Sequence, residues 1–120
     1  MTFSVLNFPK LKVYLDDERD SPDASWVRTY TPKATITLLE AQIVSYLSLD
    51  HDLGDDDGIG TGYDVILWLE EQVFTDRYFT IPKTIVVHSA NVSARTKMEQ
   101  GIERLERQNR LNIDWIMECS

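Results

Sequence analysis

Two histidines and a few aspartates hold most of what this chain can offer as chemistry. His51 and His88 are its only imidazoles, and each lies at the end of a short apolar run: "LSLDHD" holds Asp50, His51 and Asp52, and "TIVVHSAN" holds His88, Ser89 and Asn91. A third polar cluster, Asp16-Asp17-Glu18-Arg19, ends the run "LKVYL". Imidazoles titrate near neutrality, so a pair of them can supply a general acid and a general base. Converging carboxylates need a different account. Two unit charges 4 Å apart repel by about 4 kcal/mol at an effective dielectric of 20, so they must share a proton, spread apart or hold a cation. An all-oxygen set favours Mg²⁺, which takes one or two carboxylates and keeps several waters. Asp16, Asp17 and Asp50 are the candidate ligands, and a solvated acidic rim is the plain alternative.

The stretch "LSLDHDLGDDDGIGTGYD" (47–64) holds six acids in all, Asp50 and Asp52 among them, and a glycine-spaced turn. It is not an EF-hand: with Gly58 as the sixth position, the first ligand would be Leu53 and the twelfth Asp64 in place of Glu. Asp55, Asp56 and Asp57 read as a hydrated turn. "GIGTG" (58–62) is neither a phosphate-binding loop of the Walker kind nor a dinucleotide fingerprint. Gly60 and Gly62 would let backbone approach a ligand, and a helix opening near Thr61 offers N–H groups to a phosphate; simple capping by Thr61 is compatible with both. Arg19 either forks onto a phosphate or pairs with Asp16 or Asp17. Arg95 is a second phosphate candidate, and Ser89 and Asn91 bind or cap. No nucleophile elbow or Ser-His-Asp order is present, which argues against acyl transfer.

These clusters need elements to bring them together. "LKVYL" (11–15), "WVRTY" (26–30), "SYLSL" (45–49) and "TIVVH" (84–88) read as strands, with "NIDWIM" (112–117) as a fifth. Thr31 before Pro32 opens a helix with Ile36, Leu39, Ile43 and Leu47 at helical spacing. Thr61-Gly-Tyr-Asp64 has capping-box form before a helix burying Val65, Ile66, Leu69 and Val73. A helix of about 15 residues follows "HSAN", carrying Met98, Ile102 and Leu105, with Gly101 inside it at a cost of about 1 kcal/mol against Ala. Trp26 and Trp68 lie in apolar patterns and are expected in the core. Strands alternating with helices predict a doubly wound, mostly parallel α/β sheet, whose sites lie at the carboxyl ends of the strands. The three polar clusters fall on that one edge.

The whole chain sets the outer bounds. Its 120 residues suit a single domain, 1–120, with 1–10 as an N-terminal extension. A hydrophobic content of 42% and charged content of 27% are those of a globular chain rather than a disordered one. The net charge of −8 argues against duplex DNA as a partner, while leaving room for a compact nucleotide or an RNA end in a local pocket. Cys119 stands alone, so neither an intrachain disulfide nor a thiolate zinc site is available. No run is apolar enough for a membrane span, and a cytoplasmic protein is expected.

The chain resembles a receiver domain of two-component signalling, with Asp16-Asp17 ending the first strand, Asp50 at the phosphoacceptor position and Ser89-Ala90 after the fourth strand. It departs from receivers in lacking the strand-five Lys-Pro, in placing His51-Asp52 after Asp50, and in leaving only about ten residues between the first two strands, which reduces the first helix to a turn or removes it. Those departures, with "YLDDER", "WVRTY", "LSLDHDLG", "GTGYDVILWL" and "HSAN" followed by "KM", are similar to the cyclic-phosphate processing receiver domain family. That resemblance implies a receiver-like (flavodoxin-like) fold of about five strands. It also implies hydrolysis or transfer at a cyclic phosphate of a nucleotide or RNA end, with the acids and both histidines in the active site. One histidine would activate water and the other protonate the departing ring oxygen, with Asp52 orienting His51 and Arg19 holding the phosphate. The alternatives are a non-catalytic module that binds a cyclic nucleotide or a partner protein, and a receiver phosphorylated at Asp50.

Overall fold

The structure, a computed structural model, describes residues 11–53 and 58–119. The predicted extension 1–10 and the turn Asp55–Asp57 lie outside the described residues. Four strands, β1 (Leu11–Leu15), β2 (Trp26–Thr29), β3 (Val44–Leu49) and β4 (Thr84–Val87), form one parallel sheet in the order β2-β1-β3-β4. Three helices, α1 (Pro32–Glu40), α2 (Gly62–Thr75) and α3 (Val92–Cys119), connect or follow them. This is a receiver-like α/β fold with β1 in the interior. Residues 16–25 between β1 and β2 hold no helix, as their number requires.

Every helix reaches the same face of the sheet. The buried core joins Val13, Leu15, Leu47, Leu49 and Ile85 of the strands to Leu39 of α1, Val65, Ile66, Leu69 and Val73 of α2, and Met98, Ile102 and Leu105 of α3. Topology explains it: β2 to β3 and β3 to β4 both step across the sheet in one direction, and right-handed crossovers then stack their helices on one side. A doubly wound sheet carries helices on both faces. Here, among the described residues, the second face has none.

The helix ends follow local chemistry. Thr31 Oγ1 accepts the Ala34 N–H at 3.1 Å, with Pro32 at the first helical position. Gln42, at φ 56°, stops α1, so Ile43 falls beyond the helix and Leu47 sits in β3, against the expectation that both continue the helical spacing. In α2 the Asp64 carboxylate accepts the Thr61 N–H at 2.9 Å. Gly101 has a compensating use: a Cβ there would stand 2.9 Å from Ile66 Cγ2, so the missing side chain sets how closely α3 packs on α2.

The largest correction concerns "NIDWIM". Residues 112–117 are not a fifth strand; they extend α3 to 28 residues. No Gly or Pro breaks the chain after Gly101, and the inward positions Met98, Ile102, Leu105 and Asn112 keep helical spacing. Asn112 is buried because its Nδ2 donates to the Val73 carbonyl at 2.8 Å, satisfying an acceptor near the end of α2. The apolar Ile113 and Met117 that suggested a strand are exposed. No helix is long and apolar enough to cross a membrane among the described residues.

Candidate functional site

Parallel strands in register bring the three polar clusters to one edge. Tyr14 is level with Ser48, and Ser48 with Val86. Asp16, Asp50 and His88 each lie two residues further along their strands. One ligand atom from each of the three lies within 4.8 Å of the others. The predicted convergence of Asp16, Asp50 and His88 is therefore present in the geometry.

Asp16 is almost fully buried and held from three directions. Its Oδ1 accepts the Glu18 and Arg19 N–H groups, both at 2.9 Å, and its Oδ2 lies 3.0 Å from His88 Nε2. Burial pushes its pKa up, but the Arg19 and Glu18 amides and His88 together outweigh it, and the net shift is downward. Asp50 goes the other way. Burial and then the nearby Asp16 charge raise its pKa, against the His51 N–H at 2.8 Å. One acid is thus a settled anion and its neighbour an ill-accommodated one.

His88 is wedged between them. Its Nδ1 is 2.7 Å from Ser48 Oγ, and its ring stacks on Tyr14 with centroids 4.2 Å apart and planes 3° from parallel. Burial lowers its pKa despite Asp16, so the ring is neutral at pH 7. An ionised Asp16 can only accept, which places the ring proton on Nε2 and leaves Nδ1 to accept from Ser48. Its backbone is fixed too: Arg19 donates from its guanidinium to the His88 carbonyl at 3.0 Å. Arg19 accordingly ties the β1 loop to the end of β4, and among the described residues it forms no ion pair with Asp16 or Asp17.

His51 differs in kind. Its Nδ1 is 2.7 Å from Asp52 Oδ1, and its side chain is 25% exposed. If Asp52 accepts the Nδ1 proton, Nε2 carries the lone pair, the arrangement a general base needs. Sequence alone did not separate the two histidines; their partners do.

The remaining predicted residues are distributed around this edge. Asp17 stands outside the group of three, but its Oδ1 is buried without a hydrogen-bond partner. Ser89 is buried, and its Oγ accepts the Asn91 N–H at 3.2 Å; its side chain also bonds Asp50. Asn91 Oδ1 accepts from Ala94 N at 3.1 Å and so caps α3. Arg95 donates to the Ser89 carbonyl at 3.4 Å. Gly62 donates its N–H to the His51 carbonyl at 3.3 Å, and a Cβ there would fall 1.9 Å from the Asp50 carbonyl oxygen. The need for glycine at 62 therefore comes from the Asp50-His51 backbone, which α2 presses against, whether or not a ligand also docks. Sequence reasoning missed Ser48 and Tyr14, which hold His88. Strand alternation carries that signal, since both lie two residues before the acids Asp50 and Asp16.

The donor set fits a divalent cation, and its imidazole suits a borderline ion such as Mn²⁺ or Zn²⁺ better than the all-oxygen set that favours Mg²⁺. Two carboxylate oxygens and an imidazole nitrogen stand within reach of one another, Asp50 is destabilised as an anion, and the adjacent Asp17 keeps a buried oxygen unpaired. With no fifth strand among the described residues, no strand brings a lysine to this edge in the manner of a phosphorylated receiver. In comparisons with known proteins, the model of the cyclic-phosphate processing receiver domain matches residues 11–104. No curated protein and no solved structure matches the chain.

Proposed function

The chain belongs to the cyclic-phosphate processing receiver domain family, and from that premise we propose that the Asp16–Asp50–His88 edge is the active site of a cyclic phosphodiesterase acting on a nucleotide or RNA end. The observation that carries the reading is the division of labour between the two histidines: one neutral and locked beside two carboxylates, the other more exposed and oriented by its own acid. In this scheme Asp16, Asp50 and His88 hold Mg²⁺ or a similar ion, and Asp17 adds an oxygen. When bound, such an ion polarises a phosphoryl oxygen and offsets charge building up on the phosphate and on the departing ring oxygen. His88 would hold such an ion through Nε2 as the tautomer protonated on Nδ1, with Ser48 Oγ accepting that proton.

His51 Nε2 takes a proton from the attacking water. The water oxygen bonds to phosphorus and one ring P–O bond breaks; the departing ring oxygen takes up a proton from solvent, to which the His51 imidazolium returns its own, and the ring-opened monoester leaves. Asp52 holds the His51 ring and stabilises the imidazolium. Arg19 faces the same edge through its bond to the His88 carbonyl, and its guanidinium suits a phosphate oxygen. Ser89, Asn91 and Arg95 line the start of α3 and Thr61 and Gly62 that of α2, as the polar surround of the substrate.

The test is incubation with 2′,3′-cyclic nucleotides in Mg²⁺ and then in EDTA. Ring-opened monophosphate is expected in Mg²⁺ only, and His51→Ala should slow its formation by roughly 10²–10⁴-fold, the usual worth of a general base. Full activity in His51→Ala would remove the base from its role. Tight retention of the cyclic nucleotide with no product would instead favour a binding module without chemistry.

A further inference from the structure

The helix-free face of the sheet carries an unusual set of side chains. Register places Trp26, Lys12, Tyr46 and Thr84 in one row across the four strands, and Arg28, Tyr14, Ser48 and Val86 in the next. Asp16, Asp50 and His88 follow two residues on. In a chain with 20 acidic residues against 12 Lys and Arg, these two rows hold three aromatics, two cations and no acid. The rings form one connected group. Trp26 stands edge-on to Tyr46 at 5.0 Å and to Tyr14 at 5.9 Å; Tyr14 is itself buried, flat on the His88 imidazole, so Trp26 and Tyr46 are the rings that reach solvent. Trp26 was expected in the core, but it is only half-buried and takes no part in the core cluster.

We infer that this open face is a base-stacking platform continuous with the active edge, and that the substrate it fits is the 3′ end of a single-stranded RNA rather than a free nucleotide. The inference rests on the cyclic-phosphate reading above, since that supplies the end group, but the surface has its own argument. Single strands bind on aromatic rings flanked by a few cations, and stacking tolerates any base. Lys12 Nζ sits 5.0 Å from the centre of the Trp26 ring, where it could give up the ring face to a base and take a backbone phosphate. Arg28 is held by Asp20 at 2.8 Å and by the Asp16 carbonyl at 3.1 Å. From the His88 row to the Trp26 row is four residues of strand, about 13 Å, which separates an end group at the active edge from a base lying on Trp26. With only two cations on the face, stacking carries more of the binding than charge does, and the salt dependence should be shallow.

Fluorescence anisotropy on the full chain tests this with three probes: a labelled six-nucleotide RNA ending in a 2′,3′-cyclic phosphate, the same RNA ending in a 3′-hydroxyl, and a labelled cyclic mononucleotide. The cyclic-ended RNA should bind at least tenfold more tightly than the mononucleotide. Trp26→Ala and Tyr46→Ala should each lower RNA affinity about tenfold. Lys12→Glu, which leaves all three rings in place, should lower it severalfold and so guards against a misfolded tryptophan variant. Equal affinity for RNA and mononucleotide, or RNA binding unchanged in both Trp26→Ala and Lys12→Glu, would overturn the platform, and it could do so while mononucleotide hydrolysis still stood. Conversely, RNA binding that depends on Trp26 but does not distinguish the two end groups would support the platform and sink the cyclic-phosphate reading.

Discussion

The two faces of this sheet are made by the same four strands, yet they solve different problems. Val13, Leu15, Leu47, Leu49 and Ile85 point toward the helices and are buried in a continuous apolar core. Their immediate neighbours Lys12, Tyr14, Tyr46, Ser48 and Val86 point the other way, where no described helix covers them. Alternation along a strand is what permits this: a period of two lets one sequence specify a hydrocarbon face and a chemical face at once. In an ordinary α/β protein both faces are apolar because helices cover both. Here, among the described residues, no helix lies between β1 and β2 and no fifth strand follows, so no described element packs on the second face, and the candidate site residues Asp16, Asp50 and His88 continue its rows. The covered face fixes the register; the uncovered one uses it.

Neighbouring residues on β3 give the most severe test of that contrast. Leu47→Ala should cost about 2–5 kcal/mol, the range for deleting a fully buried leucine, because the core cannot collapse fully around the cavity. Tyr46→Ala, one residue away but half-buried on the open face, should cost about half of that or less. Urea denaturation of both variants is the measurement. Equal losses would mean that the second face is packed as tightly as the first.

Much of this was readable in the chain, and the reasons are physical. β-branched and aromatic runs marked the four strands, two of them stopped by acids. Thr31-Pro32 and Thr61 through Asp64 marked helix starts, because capping is local chemistry. The meeting of Asp16, Asp50 and His88 followed from a single rule about strand ends. What was not readable depended on packing. "NIDWIM" suits a strand in isolation, and only the continued contact of α3 with α2, sealed by Asn112, makes it helix. Trp26 looked like core because a sequence shows the apolar pattern and not which face is covered. The different roles of His51 and His88 depend on Asp52, Ser48 and Tyr14 as partners, and two of those three come from the register of the sheet.

A smaller effect probes how the open face supports the edge. Ser48 Oγ is the partner of His88 Nδ1 at 2.7 Å. Ser48→Ala should cost about 1 kcal/mol, the usual net value of one hydrogen bond. It should leave the His88 tautomer unchanged, because the ionised Asp16 still accepts from Nε2–H, and nitrogen-15 NMR of the imidazole should show a single form. A mixture of the two forms in Ser48→Ala would mean that the serine hydroxyl, and not Asp16 alone, sets the proton's position.

The smallest expected effects lie in the acid pair, and their opposite signs make them informative. Asp16 has a lowered pKa in the fold, so its contribution to stability is present above the ordinary carboxylate range and is lost as pH falls through its folded value. Asp50 has a raised pKa, so its contribution is present below that range and is lost as pH rises through its folded value. At neutral pH the first acid therefore stabilises the fold and the second strains it. Thermal melts should show Asp16→Asn below the wild type at pH 7 and Asp50→Asn above it, since Asn at 50 still accepts from the His51 N–H but carries no charge beside Asp16. Both differences should shrink as the pH is taken below about 4, where free carboxyls are protonated. Added Mg²⁺ should raise the wild-type melting temperature, by mass action on the folded state alone, and should do so far less in Asp50→Asn. A melting temperature that falls in Asp50→Asn at pH 7 would show that the edge tolerates its second anion without a cation. The strain on Asp50 would then no longer mark this end of the sheet as built for a ligand.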